Sequence, residues 1–366
     1  MVKARRDDLL GPLSAVSGII ERRHTLPILS NVLLEQSKGT LSFLATDIEM
    51  QITSKGPAEG HDGEKSITVG ARKLVDILRA LPSNAEVSLQ LQEKRMVVKA
   101  GRSRFTLQTL PAEDFPRLAK PEGESASFEL PQRTLRKHLG LVQYAMAQQD
   151  IRYYLNGLLI VAGNRQLKLV ATDGHRLAYT ALSLDADITP LELIIPRKTV
   201  TELGRLLADV DDPVRVSLSG SQAAFTFGSV ELVSKLVDGK FPDYTRVIPP
   251  AHQNKLAVSR EALKQALSRV AILSNEKFRG VRWVLTQDSL RIVSSNTEQE
   301  EAIEELEIQY KGDGLDIGFN VTYLLDVLNN IGGDEVSASF GDASSSALIE
   351  FATEPDFKYV VMPMRI

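Results

Sequence analysis

A threefold internal repeat is the feature that most limits what this 366-residue chain can fold into. The segment Leu169–Leu177 has the same plan as Phe43–Met50, namely an apolar run followed by a small hydroxyl residue and an acid. A weaker copy occupies Ile292–Asn296. The matching positions Asp47, Asp173 and Asn296 are separated by 126 and 123 residues. Self-similarity at a fixed period is the signature of a repeat architecture, so the pattern indicates three copies of one unit.

Other landmarks keep the same period. The pair Phe115-Pro116 recurs 126 residues later as Phe241-Pro242, and similar helix starts occur at Ala71, Pro196 and Asn320. Proline- and glycine-containing stretches suitable for linkers lie near Ala119–Gly123 and Pro249–His252. The sequence therefore predicts three domains, with boundaries at residues 1–121, 122–249 and 250–366.

Each repeat is predicted to contain two amphipathic helices and several strands. Apolar residues recur at helical spacing in the first helix of each repeat: Leu9, Leu13, Val16 and Ile20; Leu135, Leu139, Val142 and Met146; and Leu263, Ala266, Leu267, Val270 and Ala271. The second helices carry similar stripes: Leu74, Ile77, Leu78 and Leu81; Val200, Leu203 and Leu207; and Leu324, Val327, Leu328 and Ile331. Alternating segments such as Ile48-x-Met50-x-Ile52 and Leu306-x-Ile308-x-Tyr310 are typical of strands. Each repeat thus reads roughly as helix, strands, helix and strands. This order predicts an α+β fold in which helices cover one face of antiparallel sheets.

Composition excludes several function classes. No apolar run reaches membrane-spanning length, and the N-terminus lacks the core of a signal peptide. The absence of cysteine excludes disulfides and thiolate metal sites and fits a cytoplasmic protein. No cofactor is expected. Because the net charge is −4, any attraction to nucleic acid must come from basic residues gathered on one face.

The polar positions of the predicted helices are mostly basic. One such helix would be an ordinary solvated face, but the same sign recurs in every repeat of a net-acidic chain. If the helices share one side of an assembly, that side would face phosphates. The basic positions are Arg5, Arg6, Arg133, Arg136, Lys137, Arg260, Lys264 and Arg269 on the first helices, with Arg72, Lys73, Arg79, Arg197, Lys198 and Arg205 on the second.

Opposite charges gather at the two ends of the chain. The first repeat carries Lys94, Arg95, Lys99, Arg102 and Arg104, and the third carries Glu298, Glu300, Glu301, Glu304, Glu305 and Glu307. Complementary patches at opposite ends favour a head-to-tail contact, which gives a ring if it closes and a filament if it does not. A unit of this length has a radius of gyration of about 14 Å, so six units from two chains leave a hole of roughly 30 Å. A DNA duplex about 20 Å across would fit.

Six segments closely resemble the bacterial sliding clamp family, the β subunit of DNA polymerase III. They are Thr25–Leu29, Gln149–Gly157, Ala171–Leu177, Ser234–Tyr244, Ser274–Arg282 and Val360–Arg365. The resemblance spans the whole chain. It implies a non-enzymatic, head-to-tail homodimer of three clamp domains per chain, with helices lining the hole. It also implies as partners duplex DNA, the polymerase III α subunit, the clamp loader and other proteins with a clamp-binding motif.

The resemblance also implies site residues. Its peptide-binding groove, between repeats two and three, corresponds to Leu155, Thr172, Gly174, His175, Arg176, Leu177, Pro242, Arg246, Val247, Ser346, Val360, Met362, Pro363, Met364 and Arg365. Its DNA contacts correspond to Arg23, Arg72, Gln149, Tyr153 and Tyr154, with Lys198 beside them. Its dimer contact corresponds to Lys73, Arg95, Arg102, Arg104 and Phe105 on one side, and to Ile272, Leu273, Glu298, Glu300, Glu301 and Glu304 on the other. His24 stands where the family often has proline.

Two alternatives remain at this point. A hydrolase using Asp173 and His175 is disfavoured, because a turn stabilised by an aspartate gives the same residues. The matching residues of the first repeat are Asp47 and Glu49, so the pair does not recur. A repeat scaffold that binds only proteins would explain a groove but would leave the basic helix faces without a role.

Overall fold

The computed structural model describes residues 2–21, 26–60, 65–119, 123, 126–185, 187–250, 252 and 254–366. These fall into two compact units, one formed by Met1–Arg136 with Thr201–Leu236 and the other by Lys137–Val200 with Val237–Ile366. Arg23 and His24, two residues of interest in the sequence, lie outside the described residues. Each unit combines parts of two sequence repeats.

The predicted pairs of helices are confirmed in all three repeats. Within the described residues the α-helices are α1 (Arg6–Ser17), α2 (Ala71–Ala80), α3 (Gln132–Val142), α4 (Arg197–Leu206), α5 (Arg260–Val270) and α6 (Val321–Asn330). Two predicted core positions are only partly buried. In α2 the buried face includes Val75 in place of Ile77. In the first repeat α1 ends at Ser17, and the helical spacing no longer applies beyond it. Ile19, not Ile20, is therefore the buried residue after this helix.

Local chemistry explains where several helices begin. Ser259 and Asn320 precede α5 and α6, and their side-chain oxygens accept hydrogen bonds from the backbone N–H groups of Ala262 and Thr322. These bonds satisfy N–H groups that have no partner inside the helix. No side-chain cap precedes α1, but its first turn contains Asp7 and Asp8. Acids at this end interact favourably with the helix dipole.

In each repeat strands follow both helices, as predicted, and one further strand precedes the first helix. They are β1 (Val2–Arg5), β2 (Asn31–Ser37), β3 (Thr40–Thr46), β4 (Met50–Pro57), β5 (Glu59–Gly60), β6 (Lys65–Gly70), β7 (Glu86–Gln92), β8 (Arg95–Ala100), β9 (Ser103–Leu110), β10 (Ala126–Pro131), β11 (Gly157–Gly163), β12 (Gln166–Thr172), β13 (Arg176–Ser183), β14 (Leu191–Pro196), β15 (Pro213–Leu218), β16 (Gln222–Phe227), β17 (Val230–Lys235), β18 (Asn254–Ser259), β19 (Gly280–Thr286), β20 (Ser289–Ser295), β21 (Glu301–Glu307), β22 (Gln309–Lys311), β23 (Leu315–Asn320), β24 (Glu335–Phe340), β25 (Ala347–Phe351) and β26 (Glu354–Val361).

Two predicted strand patterns extend too far. Ile48 lies in the turn before β4 with a positive φ of 70°, and Ile308 lies between β21 and β22. Alternation of apolar residues does not reveal where a turn interrupts a strand.

The first unit contains a 13-stranded sheet in the order β10-β15-β16-β17-β4-β3-β2-β6-β9-β8-β7-β1-β5. Strand β17 of the second repeat pairs antiparallel with β4 of the first repeat, so that Leu232 lies opposite Ile52. Both side chains are buried. Pairing of two edge strands therefore joins repeat 2 to repeat 1 in one continuous sheet.

The second unit repeats this junction. Its nine-stranded sheet has the order β14-β11-β12-β13-β26-β25-β24-β18-β22, and a four-stranded sheet has the order β21-β20-β19-β23. Strand β26 of the third repeat pairs antiparallel with β13 of the second, with Leu177 opposite Val360. Repeat 3 is thus joined to repeat 2 through the same kind of edge.

The described part of the chain contains no helix long and apolar enough to span a membrane.

Candidate functional site

The repeated Thr-Asp segments are structural turns. In repeat 2 the Thr172 hydroxyl donates to the carbonyl of Arg176 at 2.6 Å, and the Asp173 carboxylate accepts from the backbone N–H groups of His175 and Arg176 at 2.9 and 3.0 Å. In repeat 1 Thr46 and Asp47 make the same bonds around Met50. In both repeats the carboxylate therefore closes the tight turn that precedes the last strand of the hairpin.

The third repeat makes a similar turn with an amide. The side-chain oxygen of Asn296 accepts from the backbone N–H groups of Glu298 and Glu300 at 3.0 and 3.1 Å. Since an amide replaces the acid, the repeated feature is a hydrogen-bond acceptor and not an ionised group. His175 is exposed beside the turn. This arrangement gives Asp173 a role without catalysis.

An apolar cluster lies where the edge strands of repeats 2 and 3 meet. Leu177 of β13 and Val360 of β26 are opposite each other and are 1% and 0% exposed. Leu155 and Phe241 belong to the same cluster. Tyr154, Tyr179, Tyr244, Val247 and Ile248 pack against it and are only partly buried. The predicted groove residues Leu155, Leu177 and Val360 thus lie in one buried cluster, and Val247 packs against it from the partly exposed side.

The rim of this cluster carries polar groups. Pro242 and Arg246 are exposed, and Arg246 pairs with Asp243 at 3.0 Å. Tyr179 and Tyr244 stack with ring centroids 5.9 Å apart. Partial burial raises the pKa of both phenols, so they remain neutral hydrogen-bonding groups at neutral pH. Apolar pockets with a few polar groups at the rim suit a short peptide with aliphatic or aromatic anchors.

The C-terminal segment extends the same surface. The Met362 backbone N–H donates to the carbonyl of His175 at 2.8 Å, and the Met364 N–H donates to the carbonyl of Gly318 at 2.9 Å. Met362, Pro363 and Met364 are partly exposed and Arg365 is exposed. Ser346, also partly exposed, immediately precedes β25, whose Ala347 lies opposite Val361. The predicted C-terminal groove residues therefore adjoin the Asp173 turn.

Arg176 lies under this surface, not on it. Its side chain is 9% exposed, and its guanidinium donates to the Asp326 carboxylate at 2.5 Å, the Tyr144 carbonyl at 2.6 Å and the Asp173 carboxylate at 3.1 Å. It also stacks over the Tyr323 ring at 4.4 Å. Each of the three guanidinium nitrogens thus donates a hydrogen bond that ties β13 to its own turn, to the end of α3 or to α6.

A loop beside the groove carries three of the predicted DNA contacts. Gln149, with a positive φ of 56°, and Tyr153 are exposed, whereas Tyr154 packs against the apolar cluster. Asp150 and Asn156 close the loop with reciprocal hydrogen bonds of 2.9 and 2.8 Å. The loop thus presents polar groups outward while its end anchors in the groove cluster.

Arg152 connects this loop to the Asp173 turn. Its guanidinium pairs with Asp150 at 2.9 Å and donates to the carbonyl of Asp173 at 3.3 Å. The hydrogen bonds from Arg152 lower the pKa of Asp150 to about 2. Gly174 has a φ of +90°, and a Cβ there would lie 2.9 Å from the Arg152 guanidinium. The left-handed conformation therefore favours glycine, and a Cβ would displace the Arg152 guanidinium.

The remaining predicted DNA contacts lie at the starts of second helices. Arg72 in α2 and Lys198 in α4 are exposed. The first-turn residue Arg197 donates its backbone N–H to the carbonyl of Asn156 at 2.9 Å, which places Lys198 near the Gln149 loop in the second unit. Arg72 belongs to the first unit.

Several basic residues expected to face phosphates instead have structural partners. Arg6 donates to the carbonyls of Leu78 and Arg79, and Arg260 donates to those of Leu328 and Gly333. These arginines at the start of one helix satisfy carbonyls at the end of its neighbour. The guanidinium groups of Arg6 and Arg260 thus have a structural role within the fold, which the predicted basic helix face did not include.

Most of the predicted dimer residues are solvent-exposed. Lys73, Arg95, Arg102 and Arg104 are exposed and Phe105 is partly exposed in the first unit. In the second unit Ile272 is 77% exposed, Leu273 is partly exposed, and Glu298, Glu300 and Glu301 are exposed. Glu304 differs, because Arg269 of α5 binds its carboxylate with two bonds of 2.7 Å and lowers its pKa.

Sequence reasoning missed the partners of Arg176, namely Tyr144, Tyr323 and Asp326. They are far apart in sequence and have no distinctive pattern. The repeat offered one signal for Asp326, because an acid recurs at the same helix position in every repeat. Asp76, Glu202 and Asp326 are the sixth residues of α2, α4 and α6. Among the described residues, no group of three or more metal-binding side chains comes together.

Comparison with known proteins is consistent with these features. Models of the N-terminal, central and C-terminal domains of the DNA polymerase III β subunit match residues 2–119, 129–243 and 245–365. The β sliding clamp of Pseudomonas aeruginosa is 47% identical, and the alignment covers 99% of both chains. That of Escherichia coli is 46% identical over 99% of this chain and 98% of its own.

Solved structures extend the similarity to the fold. The DNA polymerase III subunit β from Pseudomonas aeruginosa superimposes with a TM-score of 0.97 at 46% identity and covers 100% of each chain. The DnaN sliding clamp of the same organism, solved with bound griselimycin, gives 0.96 at 46% identity over 100% of this chain and 99% of its own. Caulobacter crescentus polymerase III β gives 0.94 at 38% identity over 100% of both. The chain therefore belongs to the DNA polymerase III β-subunit family of sliding clamps, which are processivity factors and not enzymes.

Proposed function

We propose that two copies of this chain close head to tail into a ring that encircles duplex DNA without sequence preference. The ring tethers a replicative polymerase and other replication and repair proteins through the groove around Leu177 and Val360. The observation that carries this proposal is the pair of internal junctions, β4 with β17 and β13 with β26. The matching strands of the remaining junction are β21 and β9, one in each unit.

The two internal junctions predict how β21 and β9 pair between copies. Thr46 lies opposite Gln51 across the β3–β4 hairpin, as Ser295 lies opposite Glu301 across β20–β21. Glu301 is therefore the equivalent of Gln51. The hairpins β8–β9 and β16–β17 match in the same way, which makes Thr106 the equivalent of Val233.

Since Gln51 lies opposite Val233, Glu301 of one copy should lie opposite Thr106 of the other. The same register places Ile303 opposite Arg104 and Glu305 opposite Arg102. Side chains directly and diagonally opposite on one sheet face interact, so Arg104 would sit between Glu301 and Glu305. Glu304 points to the opposite face, where Arg269 already holds it. The register thus assigns the ion pairs between copies to Glu301 and Glu305.

The DNA-facing surface is proposed to consist of Arg23, Arg72, Gln149, Tyr153, Tyr154 and Lys198. Lysine and arginine would contact phosphates, and amide or phenol groups would add hydrogen bonds. Contacts to the backbone carry no sequence information and weaken with salt. A ring that must slide needs this kind of weak binding, while topological linkage keeps it on the DNA.

The groove would capture linear motifs with aliphatic or aromatic anchors. Its proposed lining is the set Leu155, Thr172, Gly174, His175, Leu177, Pro242, Arg246, Val247, Ser346, Val360, Met362, Pro363, Met364 and Arg365, with Arg176 holding the turn from below. Methionine side chains at the C-terminal end adapt to varied partners. A polymerase bound there gains effective concentration at the primer end.

The same proposal covers the domain limits and location. We place the domains at residues 1–121, 122–249 and 250–366, and the protein in the cytoplasm, where a replicative polymerase and an external clamp loader are available.

The decisive experiment compares retention on nicked circular DNA with retention on the same DNA after linearisation. A clamp loader and ATP are present and salt is moderate. Retention on circles with loss from linear ends is expected for an encircling ring. Equal retention on both would refute encirclement, and no retention on either with an active loader would favour a scaffold that binds only proteins.

A matched variant sharpens the test. Replacing Arg72 and Lys198 by serine should reduce loading and its dependence on salt, whereas a protein-only scaffold would be indifferent.

A further inference from the structure

An arginine–acid pair closes the end of a helix at the internal junction of the first unit. Arg205 of α4 donates to the carbonyl of Ala15 at 3.0 Å, near the end of α1. Glu202 holds Arg205 at 2.8 Å. Gly18 is so close that a Cβ there would lie 2.5 Å from both partners. A second helix of one repeat thus caps the first helix of the preceding repeat.

The junction in the second unit uses the same position. Asp326 is the sixth residue of α6, as Glu202 is of α4. It binds Arg176, which donates to the carbonyl of Tyr144 just beyond α3. The arginine comes from a strand in this case, but the acid and the capped helix end are equivalent. A bulky tyrosine is accommodated where repeat 1 has Gly18.

The remaining second helix, α2, carries the same pair without a partner. Asp76 and Arg79 are its sixth and ninth residues, which match Glu202 and Arg205. Both are exposed, and neither side chain makes a hydrogen bond or ion pair with another described residue. The pair therefore has the sequence positions of a cap but nothing to cap within the described chain.

The remaining first helix, α5, supplies the matching end. The buried residues Leu263, Leu267 and Val270 correspond to Leu9, Leu13 and Val16 of α1. By this correspondence Arg269 is the equivalent of Ala15, and Ile272 is the equivalent of Gly18. Ile272 is 77% exposed. The Arg269 carbonyl accepts one hydrogen bond, from the N–H of Ala271, and keeps a second lone pair. A helix end also carries a partial negative charge, which a guanidinium can complement.

We propose that Asp76 and Arg79 form a clasp between copies of this chain. Arg79 of one copy donates to the carbonyl end of α5, at Arg269, in the second copy, and Asp76 orients the guanidinium. Ile272 of the second copy packs beside the pair. The inference rests on the proposed ring, because the clasp exists only where the first and third repeats of different copies meet.

Dimer dissociation measures the clasp directly. Arg79→Ala removes one charge-assisted contact from each of the two interfaces, so the Kd of the dimer should rise about tenfold. Asp76→Ala leaves the arginine in place without its orienting acid and should raise the Kd roughly threefold. Lys38→Ala is the matched control, because it removes one exposed positive charge from a turn of the same unit. It should change the Kd by less than about twofold.

Crosslinking locates the contact. The chain contains no cysteine, so single substitutions give unique labelling sites. Copies carrying only Arg79→Cys are mixed with copies carrying only Ile272→Cys and treated with a short bismaleimide. A crosslinked dimer is expected, and Lys38→Cys in place of Arg79→Cys should give none. Circular dichroism shows that the variants are folded.

The outcomes separate the clasp from the ring. If the wild-type chain dimerises but Arg79→Ala behaves like Lys38→Ala and no 79–272 crosslink forms, the clasp is refuted and the ring remains. If the wild-type chain stays monomeric across micromolar concentrations, the proposed ring itself fails.

Discussion

Replacing Arg176 by methionine should destabilise the second unit far more than replacing any exposed arginine at the groove. Methionine keeps the unbranched apolar stem of the side chain but removes the guanidinium and every donor. The carboxylates of Asp173 and Asp326 and the carbonyl of Tyr144 would all lose their partner. Burial raises the pKa of Tyr144 and Tyr359, so both phenols stay neutral and no positive charge remains beside the two carboxylates.

The expected loss of unfolding free energy follows from how far the three side chains are exposed to solvent. The side chains of Arg176, Asp173 and Asp326 are 9%, 16% and 32% exposed. Breaking a buried ion pair by removing one partner typically costs 3–5 kcal/mol, and Asp326 can recover some hydration, so we expect about 3 kcal/mol. Arg246 is the control, because its side chain is 86% exposed in its pair with Asp243. Arg246→Met should cost less than about 0.5 kcal/mol.

Urea unfolding followed by tryptophan fluorescence provides the measurement. Trp283 is the single tryptophan of the chain, is 1% exposed and lies in the second unit with Arg176. Its emission therefore reports on the unit in which the substitution is made. The midpoint should fall clearly for Arg176→Met and remain near the wild-type value for Arg246→Met.

Peptide binding distinguishes the two possible roles of Arg176. If its guanidinium contacted a bound peptide directly, Arg176→Met would weaken binding while leaving the urea midpoint unchanged. That result, or equal midpoints for Arg176→Met and Arg246→Met, would refute the reasoning. If Arg176 holds the groove from below, Arg176→Met should both lower the urea midpoint and weaken peptide binding.

Three further results are expected. Gly174→Ala should destabilise the second unit by about 1–2 kcal/mol and weaken peptide binding, because its φ is positive and a Cβ would displace the Arg152 guanidinium. Gly140→Ala in α3 should instead stabilise the unit by about 0.5–1 kcal/mol. Thermal unfolding of both variants tests this, and equal midpoints would contradict it. Burial, assisted by Lys137 and opposed by Glu354 and Asp356, lowers the pKa of His138 below 6.5. Its contribution to the free energy of unfolding is therefore complete above pH 6.5 and declines as the pH falls further. Between pH 7.5 and 5.5 the urea midpoint should drop less in His138→Gln than in the wild-type chain, and parallel curves would refute this. Arg102→Glu should weaken the dimer and Glu305→Arg should restore it in the double variant, as measured by sedimentation; no recovery would exclude the proposed register.

The repeat made much of this fold predictable from sequence. A period near 125 residues gave the three clamp units, and apolar spacing identified all six helices within the described residues. The wrong predictions concern residues at which a regular helix or strand has already ended or has not yet begun. Ile20 and Ile48 continue an apolar pattern, but the chain leaves the helix at Ser17 and turns at Ile48. A pattern of hydrophobicity describes faces of regular elements and contains no information on where a hydrogen-bonded turn begins.

Arginine was the least predictable residue, for a physical reason. Arg6, Arg176 and Arg260 have the sequence appearance of solvated or ligand-binding cations. Each instead satisfies carbonyls at or just beyond a helix end. The acceptors are backbone atoms, which every residue possesses, so no side-chain pattern marks them. Only the three-dimensional arrangement reveals which helix end lies within reach.

Comparison of the repeats can nevertheless identify some of these helix-end contacts once two of the junctions are known. The acid positions Glu202 and Asp326 have different arginine partners, one from a helix and one from a strand, yet both serve a helix end. What the fold preserves between repeats is therefore the site that needs a cation, and the residue that supplies the cation varies. The same reasoning applies to Asp76 and to Arg79 one turn later, whose guanidinium has no partner among the described residues. A position that is satisfied in two repeats and vacant in the third indicates where a second copy belongs.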